Sequence, residues 1–155
     1  MNNDLISAIK EWFDVAIPTP EKHNQSVQIG CHFEEVAEMT DAIMRGSNLC
    51  NSLTNHANNF KNCHPLNIQT AKLIAESKTR KTALLDALCD QIVTAVGIAH
   101  MFGIDIHGAL AEVNRSNYSK FENGRPVFNE SGKIKKGENY TPPELEQFVN
   151  HETHQ

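Results

Sequence analysis

Residues 82–103 read TALLDALCDQIVTAVGIAHMFG, and the architecture follows from them. Leu84, Leu85, Leu88, Ile92, Val93, Val96, Ile98, Ala99, Met101 and Phe102 nearly surround a helical axis, with Thr82 placed to cap the helix and Gly103 to end it. A helix apolar on almost every side is expected to be buried, inside a bundle or between subunits. Its most apolar part, residues 92–104, carries Thr94, His100 and two glycines. It falls short of the roughly 20 apolar residues that a membrane span requires, so no crossing is expected.

The same period runs through the flanking sequence. Leu5, Ile6, Ile9, Trp12, Phe13 and Ala16 predict an amphipathic helix from Asn3 to Val15, before the Pro-Thr-Pro turn at 18–20. A second helix is expected from Asn24 to Arg45, with Gly46 as its C-terminal glycine. The Asn- and His-rich stretch 48–65 reads as a short helix plus a loop, followed by a helix from Ile68 to about Lys78. Asp105 should cap a helix to Asn117, with Leu110 and Val113 facing inward. Nothing alternates with period two. The expected fold is all-α, a helical bundle in a single domain spanning residues 1–155, with a helical core at about 3–118 and a basic, loop-rich segment at about 119–155.

Composition narrows the function. Fourteen Lys plus Arg against nineteen Asp plus Glu give a net charge of −5, so neither duplex DNA nor an anionic membrane is an expected partner. The N-terminus has no basic region followed by an apolar run, and a cytoplasmic location is expected. Cys31, Cys50, Cys63 and Cys89 form no C-x-x-C pair and are expected as reduced thiols. Cys31-His32 and Cys63-His64 invite a zinc reading, but adjacent helical side chains point about 100° apart. Trp12, Phe13, His32 and His100 read as core or supporting groups, and His151 and His154 need no role.

Two acidic clusters carry the chemistry. Glu34 and Glu38 lie about 40° apart on their helix, Glu35 and Glu38 about 60°, and Asp41 about 20° from Glu34 on the other side. No Lys or Arg stands between Lys22 and Arg45, so the sequence points to positive charge supplied from outside the helix, unless water alone solvates the face. Asp86 and Asp90, one turn apart, sit on the helix expected to be buried. Buried carboxylates must be paired, protonated or bound to metal. If the two clusters meet, Glu34, Glu35, Glu38, Asp86 and Asp90 make an oxygen-rich, thiol-free site of the kind Mg²⁺ or Mn²⁺ prefers.

The segments GCHFEEVAEMTDAI, LLDALCDQIVTAVGIAHMFGID and EVNRSNYSKFENGRPVFNESGKIKKGENYTPPEL resemble the MazG-like all-α nucleoside triphosphate pyrophosphohydrolase superfamily, the last being similar to its single-domain phage and bacterial members. The family signature is E-E-x-x-E on one helix and E-x-x-D on a later one. Glu34, Glu35 and Glu38 match the first half and Asp90 the closing aspartate. Ala87 stands where the signature has Glu, and Asp86 is the nearest acid. The resemblance covers residues 25–45 and 82–145 and leaves 46–81 unmatched.

It implies a homodimer or homotetramer and Mg²⁺-dependent cleavage between the α and β phosphates, to a nucleoside monophosphate and pyrophosphate. Glu35 and Glu38 are then the catalytic candidates, with Glu35 chosen as proton acceptor. The substrate-binding candidates are Asn117, Lys120, Lys133, Lys136 and Tyr140, with Lys133 and Lys136 placed to reach a neighbouring subunit. The rival readings are a phosphoribosyl-ATP or nucleoside diphosphate pyrophosphohydrolase, and a non-catalytic, metal-stabilised helical assembly. RNA binding by the strip Arg115–Lys136 is opposed by the acidic remainder of the chain.

Overall fold

The computed structural model describes residues 4–130 and 132–149. It is all-α, with six helices, one short 3₁₀ turn and no strand among the described residues. The chain forms two compact units. One comprises residues 19–81 and 128–133, the other residues 1–18, 82–127 and 134–155. His151 and His154 lie outside the described residues.

The unit of residues 19–81 and 128–133 is built on an antiparallel pair, α2 (Lys22–Ile43) and α3 (Asn48–Lys61). Glu21 opens α2 with a reciprocal cap, its backbone N–H donating to Asn24 Oδ1 at 2.9 Å. Gly46, at φ +67°, turns the chain, and Ser47 Oγ caps α3 by accepting from the Cys50 N–H. Small residues let the two helices approach closely. Ala37 and Ala57 are buried, and a Cβ at Gly30 would lie 2.7 Å from the Ala57 carbonyl oxygen. Ser26 is fully buried and donates to the Phe60 carbonyl at 2.8 Å. The stretch expected to be partly loop is therefore a continuous helix to Lys61. Helix α4 (Pro65–Glu76) starts three residues earlier than expected, with Pro65 in its first turn and the His64 ring accepting from the Leu66 N–H. It packs on α2 and α3.

In the other unit, α1 (Leu5–Ala16) is capped by Asp4 and buries Trp12 and Ala16. It packs against α6 (Ile106–Tyr118). Trp12 stacks on Phe121, ring centroids 5.6 Å apart, and Phe121 meets Tyr118 edge-on. Asp105 caps α6 as expected, its Oδ1 accepting from the Gly108 N–H at 3.0 Å. The tail returns along α6. Ser116 donates to the Thr141 carbonyl, and the 3₁₀ turn Glu146–Phe148 sets its Phe148 carbonyl to accept from the Asp105 N–H.

Helix α5 (Lys78–Met101) departs most from expectation. Thr82 lies inside it, one turn past its start. Only Ala99 is buried, while Val93 is 68% exposed and Met101 81%, and within its own unit neither α1 nor α6 packs on it. The all-round apolar pattern identifies a surface that favours burial, without specifying which chain covers it. By length and composition α5 is also apolar enough to cross a membrane, its most apolar 18-residue stretch having a mean hydropathy of 1.5. Every 18-residue stretch of it, however, contains both Asp86 and Asp90. Each costs about 2.5–3.5 kcal/mol near the centre of a bilayer.

Candidate metal and phosphate site

The fourth to sixth turns of α2 carry Glu34, Glu38 and Asp41 along one wall of a cleft of about 590 Å³, whose opposite wall is α3. Arg45 at the end of α2 and Asn58 and Lys61 on α3 share the lining. The helical period puts Glu34, Glu38 and Asp41 on one stripe, and the small residues Ala37 and Ala57 keep the floor open.

Glu34 is the most strongly engaged acid. Its Oε1 accepts from Lys61 Nζ and its Oε2 from Lys133 Nζ, each at 2.7 Å. Partial burial works to raise the Glu34 carboxyl, but the bonds from Lys133 and Lys61 outweigh it and hold it below the usual carboxylate range. Lys133 responds in the opposite sense. Burial opposes its charge, yet the bond to and charge of Glu34 hold its ammonium above its ordinary value. The positive charge expected from outside α2 therefore reaches Glu34 from α3 and from the loop 128–133, both within the same chain. Lys133, expected to reach another subunit, here bonds its own Glu34.

Glu38 is exposed and lines the cleft. Asp41 also lines it, with Oδ1 accepting from the Gly46 N–H at 2.9 Å. Glu35 is exposed and is not part of the cleft wall. Asp86 and Asp90 belong to the other unit, where both are exposed on α5 and the Asp90 carbonyl accepts from Thr94 Oγ1.

The remaining substrate-binding candidates fall into two pairs in that unit. Lys120 Nζ donates to Asn117 Oδ1 at 2.7 Å, where the turn that follows α6 folds Lys120 back, its N–H donating to the Asn117 carbonyl. Lys136 Nζ lies over the Tyr140 ring, 4.8 Å from its centroid. Lys61, Arg45 and Asn58 were not among the residues expected at the site. For Lys61 there was a signal, because it is the only Lys or Arg between Arg45 and Lys72 and ends a helix that contains no acid.

The donor chemistry of the cleft suits a hard cation, since Glu34, Glu38 and Asp41 offer only oxygen. Among the described residues, no three His, Cys, Asp or Glu side chains converge as a ready metal cage. Mg²⁺ does not require one. It usually keeps several waters and is held by one or two carboxylates together with substrate phosphates. Glu38 and Asp41 meet that requirement, with Lys61 and Arg45 as cations beside them. No protein family, curated protein or solved structure matches the chain.

Proposed function

We propose that the chain is a Mg²⁺-dependent nucleoside triphosphate pyrophosphohydrolase, hydrolysing the α–β phosphoanhydride of a nucleoside or deoxynucleoside triphosphate. The observation that carries the reading is the cleft itself, where carboxylates suited to a hard cation and ammonium and guanidinium groups suited to phosphate share one wall-to-wall space. The resemblance of Glu34, Glu35, Glu38 and Asp90 to the pyrophosphohydrolase signature supports it.

Glu38, with Asp41 or Glu34, would hold Mg²⁺ in the cleft; Asp90 matches the closing aspartate of the signature, and Asp86 is the acid nearest the position where the signature has Glu. When bound, the ion withdraws charge from the phosphate oxygens. Lys61 and Lys133 neutralise the remaining charge by exchanging one bond to Glu34 for one to phosphate. The resemblance makes Glu35 the proton acceptor, but Glu35 lies outside the cleft wall, so within the cleft the proton of the attacking water falls to whichever of Glu34 and Asp41 does not hold the ion. The water oxygen bonds to the α phosphorus, the bond to the bridging oxygen breaks, and pyrophosphate leaves. Asn117, Lys120, Lys136 and Tyr140 are assigned to the nucleotide.

A homo-oligomer accompanies this reading, with α5 as the covered surface, and the exposure of α5 is what favours assembly. A purely structural, metal-stabilised assembly draws on that same observation. Pyrophosphate release separates the two. The enzyme reading expects Glu38→Gln and Asp90→Asn each to lower kcat by at least about a hundredfold without loss of helix content. Wild-type turnover in both variants would remove these residues from the mechanism.

A further inference from the structure

Cys63 and His23 form a pair that the proposed reaction does not use. Cys63 Sγ lies 3.1 Å from His23 Nδ1, joining the turn after α3 to the first turn of α2 across forty positions of sequence. Both ends are held. The Cys63 N–H donates to the Phe60 carbonyl and the His64 N–H to the Asn59 carbonyl, which sets the thiol at the close of α3. On the far side of the imidazole, a Cβ built at Gly132 would collide with His23 Nε2. Only glycine lets the loop lie against that edge while Nδ1 faces the sulfur.

The other thiols are placed differently. Burial pushes the Cys31 thiol up, aided by Glu34 and opposed by Lys133. Cys50 donates to the Ala37 carbonyl with no imidazole beside it in that bond, whereas Cys63 has the longer contact to the Lys61 carbonyl, 3.8 Å, together with the closer His23 ring; Cys89 is exposed on α5. A thiolate is the attacking species in sulfur chemistry, and a fixed proton acceptor beside the thiol is the means of forming one in place.

We propose that Cys63 is a modification site, a thiol activated by His23 for exchange with low-molecular-weight disulfides. In the step, the proton on Sγ passes to His23 Nδ1 and the sulfur attacks one sulfur of the disulfide. The new bond joins Cys63 to that sulfur, the original S–S bond breaks, and the departing thiolate takes the proton back from His23. No net electrons enter or leave the system.

The test uses the full chain and oxidised glutathione, with mixed-disulfide occupancy at Cys63 followed by peptide mass spectrometry. Cys63 in the folded protein is expected to react about tenfold faster than Cys63 in the urea-unfolded chain at the same pH, although folding half-buries it. His23→Gln, with helix content checked by circular dichroism, should bring the folded rate to or below the unfolded one. A folded wild-type rate no greater than the unfolded rate overturns the proposal. So does a folded His23→Gln variant that reacts as fast as wild type.

Discussion

Lys61 is the side chain on which the acidic face of α2 depends, because it is the more buried of the two cations bound to Glu34, 17% exposed against 46% for Lys133. Removing it leaves a partly desolvated carboxylate with one partner. Lys61→Met should cost about 1–2 kcal/mol of unfolding free energy in urea titrations. Lys133→Met should cost less than about 1 kcal/mol, since its pair is screened by water. Equal costs would mean that burial does not set the strength of these bonds. A second ionic contact makes stability depend on pH. Bonds from Arg115, and then the Glu144 N–H, hold the Glu112 carboxyl down to about 2, below its ordinary 4.5. A carboxyl lowered in the folded state contributes fully above its unfolded value, and the contribution fades as pH falls toward the folded one. The melting-temperature gap between wild type and Glu112→Gln should be constant from pH 7 to about 5 and narrow from there toward pH 2. A gap that widens on acidification would contradict this sign.

Among the elements, the α2–α3 crossing offers the sharpest test. Gly30→Ala gains about 1 kcal/mol of helix propensity. Its new Cβ would sit 2.7 Å from the Ala57 carbonyl and 2.8 Å from the Lys61 amide nitrogen, both backbone atoms that cannot rotate away. Overpacking of this kind typically costs 1–3 kcal/mol, so net destabilisation is expected in chemical denaturation. A stabilised variant would show that the helices part freely. Helix α1 was legible from its run of apolar residues, and α6 because the Asp105 cap agreed with Leu110 and Val113. Helix α3 was legible only as a short helix plus a loop, although Cys50, Leu53, Ala57 and Phe60 repeat at helical spacing. Its asparagines carry poor helix propensity, and the packing of Ala57 against α2 overrides them. The acidic stripe of α2 was legible from its period alone. Its cations were not, because Lys61 and Lys133 lie 27 and 99 positions from Glu34 and no local pattern links them.

For the whole molecule, the proposed assembly rests on the exposed surface of α5. Leu84, Leu85, Leu88, Ile92, Val93, Val96, Ile98 and Met101 are all at least 37% exposed. Covering them contributes on the order of 10–20 kcal/mol, enough to outweigh the roughly 4–15 kcal/mol that association costs. Sedimentation velocity should find a homodimer or larger species, and Val93→Glu should shift it to monomer; a wild-type monomer at micromolar concentration would contradict the account of α5. Function is tested most directly by the identity of the products. Phosphorus NMR of the eight common ribo- and deoxyribonucleoside triphosphates, each incubated with the protein and Mg²⁺, should show at least one converted to monophosphate and pyrophosphate. Diphosphate with orthophosphate, or no conversion of any of the eight by a protein that binds Mg²⁺ and assembles, would contradict it.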